Sequence, residues 1–494
     1  MQFERQSGVF LHITALPGPH GIGDLGEGAH EYIDWLASAN QSVWQFCPIG
    51  PTASIHGDSP YQSYSAFAGN PLLVSLDTLS EQAYFSLNDV SIDAPDARHE
   101  VEYDAVRKFK TAALRTAAES FFDEFGPTKS FERFCESQSA WLDDYALFMS
   151  LHDALEGAWT EWPEPIRTHE SAAVEHYRDK LESDIAYRKF VQFVFDRQWR
   201  ELHQKATDAG VTLVGDLPIY VALDSADVWA DPEAFELNDA NQPSAVAGVP
   251  PTESDAGQRW GNPLYDWEHL RETNYEWWIS RLKRLFELVD ITRIDHFKGF
   301  ESYWSIPADA DSPGAGEWKS GPGKDFFDTV AARLGQLPFI VEDLGHIDQS
   351  LHELRESLSF PGMRVPQYAD WCQEGDMYQP MHYPRQCVAY TATHDTNTTV
   401  GYYDSLSARQ KDCLHYNLGI DGDEINWSLI DAVWRSDAII AMTTMQDILG
   451  LDSHARLNTP GTAIGNWQWR CTSEGLSDAL AGRLAALSAE HIRD

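Results

Sequence analysis

Eight short apolar or β-branched runs, most of them separated by helix-period segments, set the tightest limit on how this chain can fold. They are GVFLHIT (8–14), SVWQFCPIG (42–50), VTLVGDLPIYV (211–221), DITRIDHF (290–297), PFIVEDLG (338–345), MRVPQYA (363–369), QCVAYTATHD (386–395) and AIIAMTTMQDIL (438–449). Between many of them lie segments such as EGAHEYIDWLASA (27–39), YEWWISRLKRLFELV (275–289) and LHELRESL (351–358), whose apolar residues recur at the period of a helix. Strand alternating with helix is the pattern of a parallel sheet. Eight such units predict an α/β protein built as a closed (β/α)8 TIM barrel rather than an open doubly wound sheet.

The alternation breaks between about 84 and 206. There EYDAVRKFKTAALRTAAESFFDEF and AYRKFVQFVFDRQWRELHQKA carry 3.6-residue periodicity with no strand-like run between them. This predicts a large helical insertion after the second strand, with further loop insertions elsewhere. The expected division is 1–83 for barrel strands 1 and 2 with their rim loops, 84–206 for a mainly helical inserted subdomain, and 207–494 for the rest of the barrel with the catalytic residues. The stretch DADSPGAGEWKSGPGKD (309–325) reads as a long Gly/Pro loop after the fourth strand.

A chain of 494 residues, 43% hydrophobic and 12% aromatic with 18 Trp, supplies a large core. Its 77 acidic residues against 36 basic ones, a net charge of −41, must then sit on a folded surface. That field repels nucleic acid and anionic membranes and excludes both as partners. Only 11 of the basic residues are Lys. In molar salt the Debye length falls to about 3 Å and self-repulsion is mostly screened, so the composition reads as adaptation to a very salty cytoplasm.

The six cysteines, at 47, 135, 372, 387, 413 and 471, form no CxxC pair and do not cluster with His at zinc-like spacing. Reduced, separate thiols and no metal site are expected. No run approaches the roughly 18 apolar residues of a membrane span, and MQFERQSGVFLHITALPG has no signal-type apolar region, which together predict a cytoplasmic protein.

DITRIDHFKGF (290–300) places Arg293, Asp295, His296 and Lys298 directly after a short apolar run. In a barrel, charged residues that close a strand point into the mouth where all C-terminal strand ends converge. Asp295, Glu342 and Asp395, from three different strands, can therefore meet, each beside a second polar residue: Arg293, Asp343 and His394. Singly, each could equally be a helix cap or a surface carboxylate. As a set they suit glycoside chemistry, in which an acid protonates the leaving oxygen and a carboxylate meets the oxocarbenium-like carbon. Trp260 in GQRWGNPLY and Tyr61 in DSPYQSYSAFAGN could stack on pyranose faces; burial is the commoner fate of Trp, but Trp260 is expected in a polar Gly/Pro-rich loop, which makes burial less common. No phosphate loop or dinucleotide fingerprint competes.

Nearly the whole chain resembles a known family. SGVFLHITALPGPHGIGDLG, GDSPYQSYSAFAGNPLL, GDLPIYVALDSADVWADPEAFEL, VAGVPP, GQRWGNPLY, RIDHFKGFESYW, VEDLG, YTATHD and GNWQWR are similar to segments of the amylomaltases, the 4-α-glucanotransferases also called disproportionating enzymes. The resemblance implies retaining transfer of α-1,4-glucan segments from a donor maltooligosaccharide to the 4-hydroxyl of an acceptor glucose or glucan, with no cofactor. It implies Asp295 as nucleophile, Glu342 as acid and then base, and Asp395, beside His394, as the residue that binds ring hydroxyls and helps distort the sugar. Arg293 would keep Asp295 ionised while Glu342 stays protonated near neutrality. Tyr61 and Asp216 match residues lining the cleavage subsite, and Ser59, Gln258, Trp260 and His296 match neighbouring subsites. The partners implied are maltooligosaccharides, amylose or glycogen-derived α-1,4-glucans.

Two loops depart from the family pattern. ASIH (53–56) and TESDA (252–256) stand where aromatic residues are common, which predicts weak cyclisation of long glucans. After THD the chain reads TNTT, which leaves the three carboxylates untouched. The rival readings are an α-1,4-glucan hydrolase of the same clan, which shares all three carboxylates, and a non-catalytic glucan-binding protein.

Overall fold

The computed structural model describes residues 4–82, 84–252, 256–345, 347–462 and 464–493. Its centre is one sheet of eight parallel strands: β1 (Gln6–Phe10), β2 (Val43–Gln45), β3 (Thr212–Pro218), β4 (Ile291–Asp295), β5 (Phe339–Val341), β6 (Gly362–Arg364), β7 (Cys387–Tyr390) and β8 (Ile440–Thr444). Each predicted run overlaps one of them, although β1 begins two residues before the run 8–14 and β6 one residue before the run 363–369. Neighbours pair in chain order, and β8 pairs with β1 from Gln6 opposite Ile440 to Phe10 opposite Thr444. Between β5 and β6 there is no ladder; the Val341 amide donates to the Pro361 carbonyl at 2.9 Å, and the barrel closes along that seam.

Strand periodicity sorts the side chains into two cores. Val43, Val214, Ile291, Ile340, Met363, Val388 and Met442 fill the barrel interior, while Trp44, Leu213, Leu217, Ile294, Phe339 and Val341 face the surrounding helices. The same alternation carries polar residues inward near the C-terminal ends: Gln45, Asp216, Arg293 and Tyr390 follow Val43, Val214, Ile291 and Val388 by two. Inside the barrel the Tyr390 hydroxyl donates to Gln45 Oε1 at 2.9 Å. The charge in DITRIDHF is thus the top layer of a barrel interior, not an interruption of a core strand.

Between β2 and β3 run the long helices Tyr103–Ser120, Lys129–Ala154 and Glu182–Asp208, with shorter ones among them. The second is capped by Thr128, whose side chain accepts from the Phe131 amide. It packs on the third through Phe131 and Phe134, whose rings lie 5.6 and 5.8 Å from that of Phe193. Glu182–Asp208 then runs directly into β3, so one helix serves both the insertion and the barrel's outer layer.

A second interruption was not legible in the sequence. Residues Gln258–Pro263, Ala245–Val249, Ser302–Pro307 and Glu317–Ser320 form, in that spatial order, an antiparallel four-stranded sheet beside the barrel mouth. The segment 309–325 is therefore not simply a loop. Trp318 sits opposite Trp304 with ring centroids 5.3 Å apart, and this cross-strand aromatic pair holds a four-residue strand too short for periodicity to reveal. Cysteine pairing also differs from expectation: Cys372 and Cys413 form a disulfide, leaving Cys47, Cys135, Cys387 and Cys471 free. Forty-one residues separate the two in sequence, which is why spacing did not suggest them. Among the described residues no helix is long and apolar enough to cross a membrane.

Candidate active site

An open cleft of about 460 Å³ lies at the C-terminal end of the barrel. Asp295 closes β4, Glu342 follows β5, Asp395 follows β7, and all three line this cleft together with Ser59, Tyr61, Gln258, Trp260, Arg293, His296 and His394. Gln258 and Trp260 arrive on the antiparallel sheet, where the indole N–H donates to Gln258 Oε1 at 2.9 Å. Ser59 and Tyr61 arrive on the loop after β2, tied to that sheet by a 2.8 Å bond from Gln62 to Asn262.

Asp216 occupies a lower position than expected. It faces inward directly opposite Arg293, whereas Asp295 sits one inward step higher, opposite Pro218. Its carboxylate is fully buried and absent from the cleft wall. It accepts from Arg293 Nη1 at 2.8 and 2.6 Å and from the Tyr61 hydroxyl at 2.8 Å. The same Nη1 donates to Asp295 Oδ1 at 2.9 Å. Asp216 therefore supports Arg293 and Tyr61 from beneath. Burial works against the Arg293 charge, but Asp216 and Asp295 hold its pKa well above the usual range.

Glu342 is held by two backbone amides, His296 N–H to Oε2 at 2.9 Å and Leu344 N–H to Oε1 at 2.8 Å. The first bond depends on His296 adopting φ 52°, a left-handed conformation that a non-glycine residue seldom takes and that clusters at functional sites. Burial, then repulsion from Asp295, pushes the Glu342 carboxyl up to about 8, outweighing Arg293 and the Leu344 amide. Asp395 goes the other way. Burial would raise it, but His394 and a hydrogen bond from Asn458 bring it down to about 2. His394 Nε2 lies 3.1 Å from Asp395 Oδ2, and its imidazole stacks on Tyr61 at 5.1 Å and on Phe10 at 5.9 Å.

Asp343 turns out of the cleft. Buried, it accepts from the Met363 amide at 2.7 Å and pairs with Arg355 and Arg364, so it ties β5 to β6 across the seam. Other residues at the cleft escaped the sequence reading. Asn458 Nδ2 donates to Asp395 Oδ1 at 2.6 Å, and Arg456 Nη2 donates to the Asp395 carbonyl. Tyr368, half exposed, lines the rim, and Trp467, in the quoted GNWQWR segment, lies beside His394 and Tyr61. Nothing local to RLN (456–458) signals its contact with residue 395. The TNTT segment does local work: Thr398 caps the helix Thr399–Ser405 by accepting from the Gly401 amide. Of the two divergent loops, 53–56 forms a short turn with Ile55 exposed and His56 at the cleft, while 253–255 lie outside the described residues. Among the described residues no group of three or more His, Cys, Asp or Glu could hold a metal ion.

One acid kept protonated near neutrality, one carboxylate paired with arginine and a third carboxylate held strongly ionised share a cleft with stacking rings. That set suits general acid catalysis beside a nucleophile on a neutral, ring-shaped substrate. Residues 11–476 match the model of a family described as 4-alpha-glucanotransferase. A 4-alpha-glucanotransferase of Synechocystis sp. is 44% identical over 493 residues, covering 98% of this chain and 97% of that protein. One from Thermus thermophilus is 40% identical over 500 residues, covering 99% of each. The solved amylomaltase of Streptococcus agalactiae in complex with acarbose superposes with a TM-score of 0.95 at 36% identity, covering 99% of this chain and all of that one.

Proposed function

Because the chain belongs to the 4-alpha-glucanotransferase family and has that activity, we propose that Asp295, Glu342 and Asp395 carry out a retaining transfer. Glu342 gives its proton to the glycosidic oxygen as Asp295 attacks C1; the C1–O bond breaks, the shortened glucan departs, and a β-glucosyl ester remains on Asp295. Glu342, now a carboxylate, takes the proton from the 4-hydroxyl of an acceptor sugar. That oxygen attacks C1, displaces Asp295 and restores the α-1,4 link. Asp395, ionised and fixed by His394 and Asn458, accepts from ring hydroxyls. Arg293 offsets the charge on Asp295, with Asp216 and Tyr61 fixing its position. Ser59, Gln258, Trp260 and His296 supply the flanking sugar subsites.

The observation that carries this assignment is the protonated Glu342 lining the same cleft as the Arg293-paired Asp295. Maltooligosaccharides, amylose or glycogen-derived glucans are the substrates of this reading, and the acarbose held by the Streptococcus agalactiae relative supports a saccharide. Weak cyclisation of long glucans rests on the sequences of the 53–56 and 252–256 loops. The charge of −41 supports a salty cytoplasm as the working medium. The test is maltotriose in about 2 M KCl, where the Debye length is only a few ångströms. Longer maltooligosaccharides appearing with glucose are expected; glucose and maltose alone would mean that water, not a sugar hydroxyl, reaches the glucosyl ester.

A further inference from the structure

The loop after β2 brings Ser59 and Tyr61 to the catalytic cleft, and part of what holds it comes from outside the barrel. Its chain turns through two successive left-handed residues, Gly57 at φ 62° and Asp58 at φ 56°. Aspartate tolerates that conformation when its short side chain is held locally. The Asp58 carboxylate is buried, and its Oδ1 accepts from Thr52 Oγ1 at 3.1 Å and from Arg107 Nη2. Arg107 stands on the inserted helix Tyr103–Ser120, and its Nη1 also donates to the Thr52 carbonyl at 3.3 Å. We propose that Arg107 is a positioning residue for glucan transfer: through Asp58 it sets where Ser59 and Tyr61 stand in the cleft.

Tyr61 is the pivot. Its hydroxyl donates to Asp216 at 2.8 Å, and its ring lies 5.1 Å from that of His394 and 5.8 Å from that of Trp467. Asp58 is three residues before it, and the Tyr61 amide donates to Ser59 Oγ at 3.3 Å, so a shift at Asp58 carries to both cleft residues. The same inserted helix reaches the other side of this ring cluster. Tyr103, four residues before Arg107 and so on the same face, donates from its hydroxyl to the Trp467 carbonyl at 2.9 Å. Tyr103 and Val106 share an apolar cluster with Phe10, Leu457 and Trp467, and Tyr61 packs against it. The first turns of one inserted helix thus fasten both loops that bring Tyr61 and Trp467 together beside His394.

Charge makes Arg107 the sensitive member of this set. Burial pushes the Asp58 carboxyl up, and Arg107 acts most strongly against it. With the guanidinium gone, a buried carboxylate leans on the Thr52 hydroxyl, and the loop must shift to let water reach it. Because Asp58 is buried, the pair resists screening by molar salt, unlike the exposed pair of Arg115 with Asp184 farther along the same helix.

The test compares Arg107→Met with Arg115→Met, each lacking one arginine of that helix, by maltotriose turnover in about 2 M KCl. Circular dichroism and melting temperature are read for both. Arg107→Met should lower kcat about tenfold, since a small misplacement of a positioned group costs that much, and should change KM less than about twofold, because Gln258 and Trp260 reach the cleft on the antiparallel sheet. Arg115→Met should turn over like the parent. Asp58→Asn breaks the same contact and should lose as much, after which removing Arg107 as well should cost less than about twofold more. Full kcat in Arg107→Met, equal losses in Arg107→Met and Arg115→Met, or fully additive losses at Arg107 and Asp58 overturn the proposal. Should Arg107→Met not fold, Asp58→Asn decides alone: full kcat there overturns it, and a loss beside an unimpaired Arg115→Met upholds it. The role rests on the reading of this cleft as the place of transfer, so Asp295→Asn is measured alongside. Full activity of Asp295→Asn defeats that reading, whereas an inactive Asp295→Asn beside an unimpaired Arg107→Met defeats the role of Arg107 alone.

Discussion

A proton stays on Glu342 up to about pH 8 because burial and the neighbouring Asp295 both disfavour its carboxylate. The acid form is needed to release the first glucan, so kcat/KM should fall as pH rises through about 8. Stability follows the same group. Its folded pKa lies above the unfolded one, so its contribution is complete below about pH 4, shrinks as pH rises and is lost above about 8. Glu342→Gln should therefore melt higher than the parent at pH 9 and no higher at pH 4; equal shifts at both would contradict the assignment. Asp295→Asn should lower turnover by at least about 10⁴-fold while leaving maltotriose binding in place. A variant with substantial activity would remove Asp295 from the nucleophile role. Asn458→Ala loses one charge-assisted hydrogen bond to Asp395, worth about 1.5–3 kcal/mol, and should cost roughly 10- to 100-fold in kcat/KM if that bond forms with bound sugar. Asp295, Glu342 and Asp395 were legible because each ends a strand-like run. Asn458 was not, since its meaning lies in a contact across 63 residues within no recognisable motif.

At the level of elements, what showed in the sequence was what repeats. Eight runs with polar ends and helices of full period gave the barrel, and the inward period of two explains why Arg293 and Asp216 are tolerated in it. The antiparallel sheet escaped because SYWSIP and EWKS alternate over too few residues, and because Gly and Pro around EWKS outweigh a single Trp pair. That omission hid how Trp260 is mounted: on a strand, not a loop. The disulfide joins the segment after β6, which carries Tyr368 at the cleft rim, to the helix Ala408–Leu418. Thiol labelling in denaturant should modify four cysteines before reduction and all six after it. Six labelled from the start would restore the separate-thiol expectation.

For the whole molecule the governing quantity is the charge of −41. Most of these carboxylates face solvent, and below about 0.1 M salt they interact over about 10 Å. Helical circular dichroism should be retained in about 2 M KCl and lost on dialysis to dilute buffer; an enzyme fully folded and active there would refute the reading of the surface as salt-adapted. The barrel's closure by β8 against β1 also bears on how the protein is made. Gln6–Phe10 finds its five partners only at Ile440–Thr444, and a ribosome working at about 5–20 residues per second needs roughly 20–90 s to reach them. Through that interval one edge of the first strand has no native neighbour, so the nascent chain must be kept from pairing with another. Translation speed and chaperone capture, rather than the finished sheet, then set how much of the newly made chain becomes enzyme.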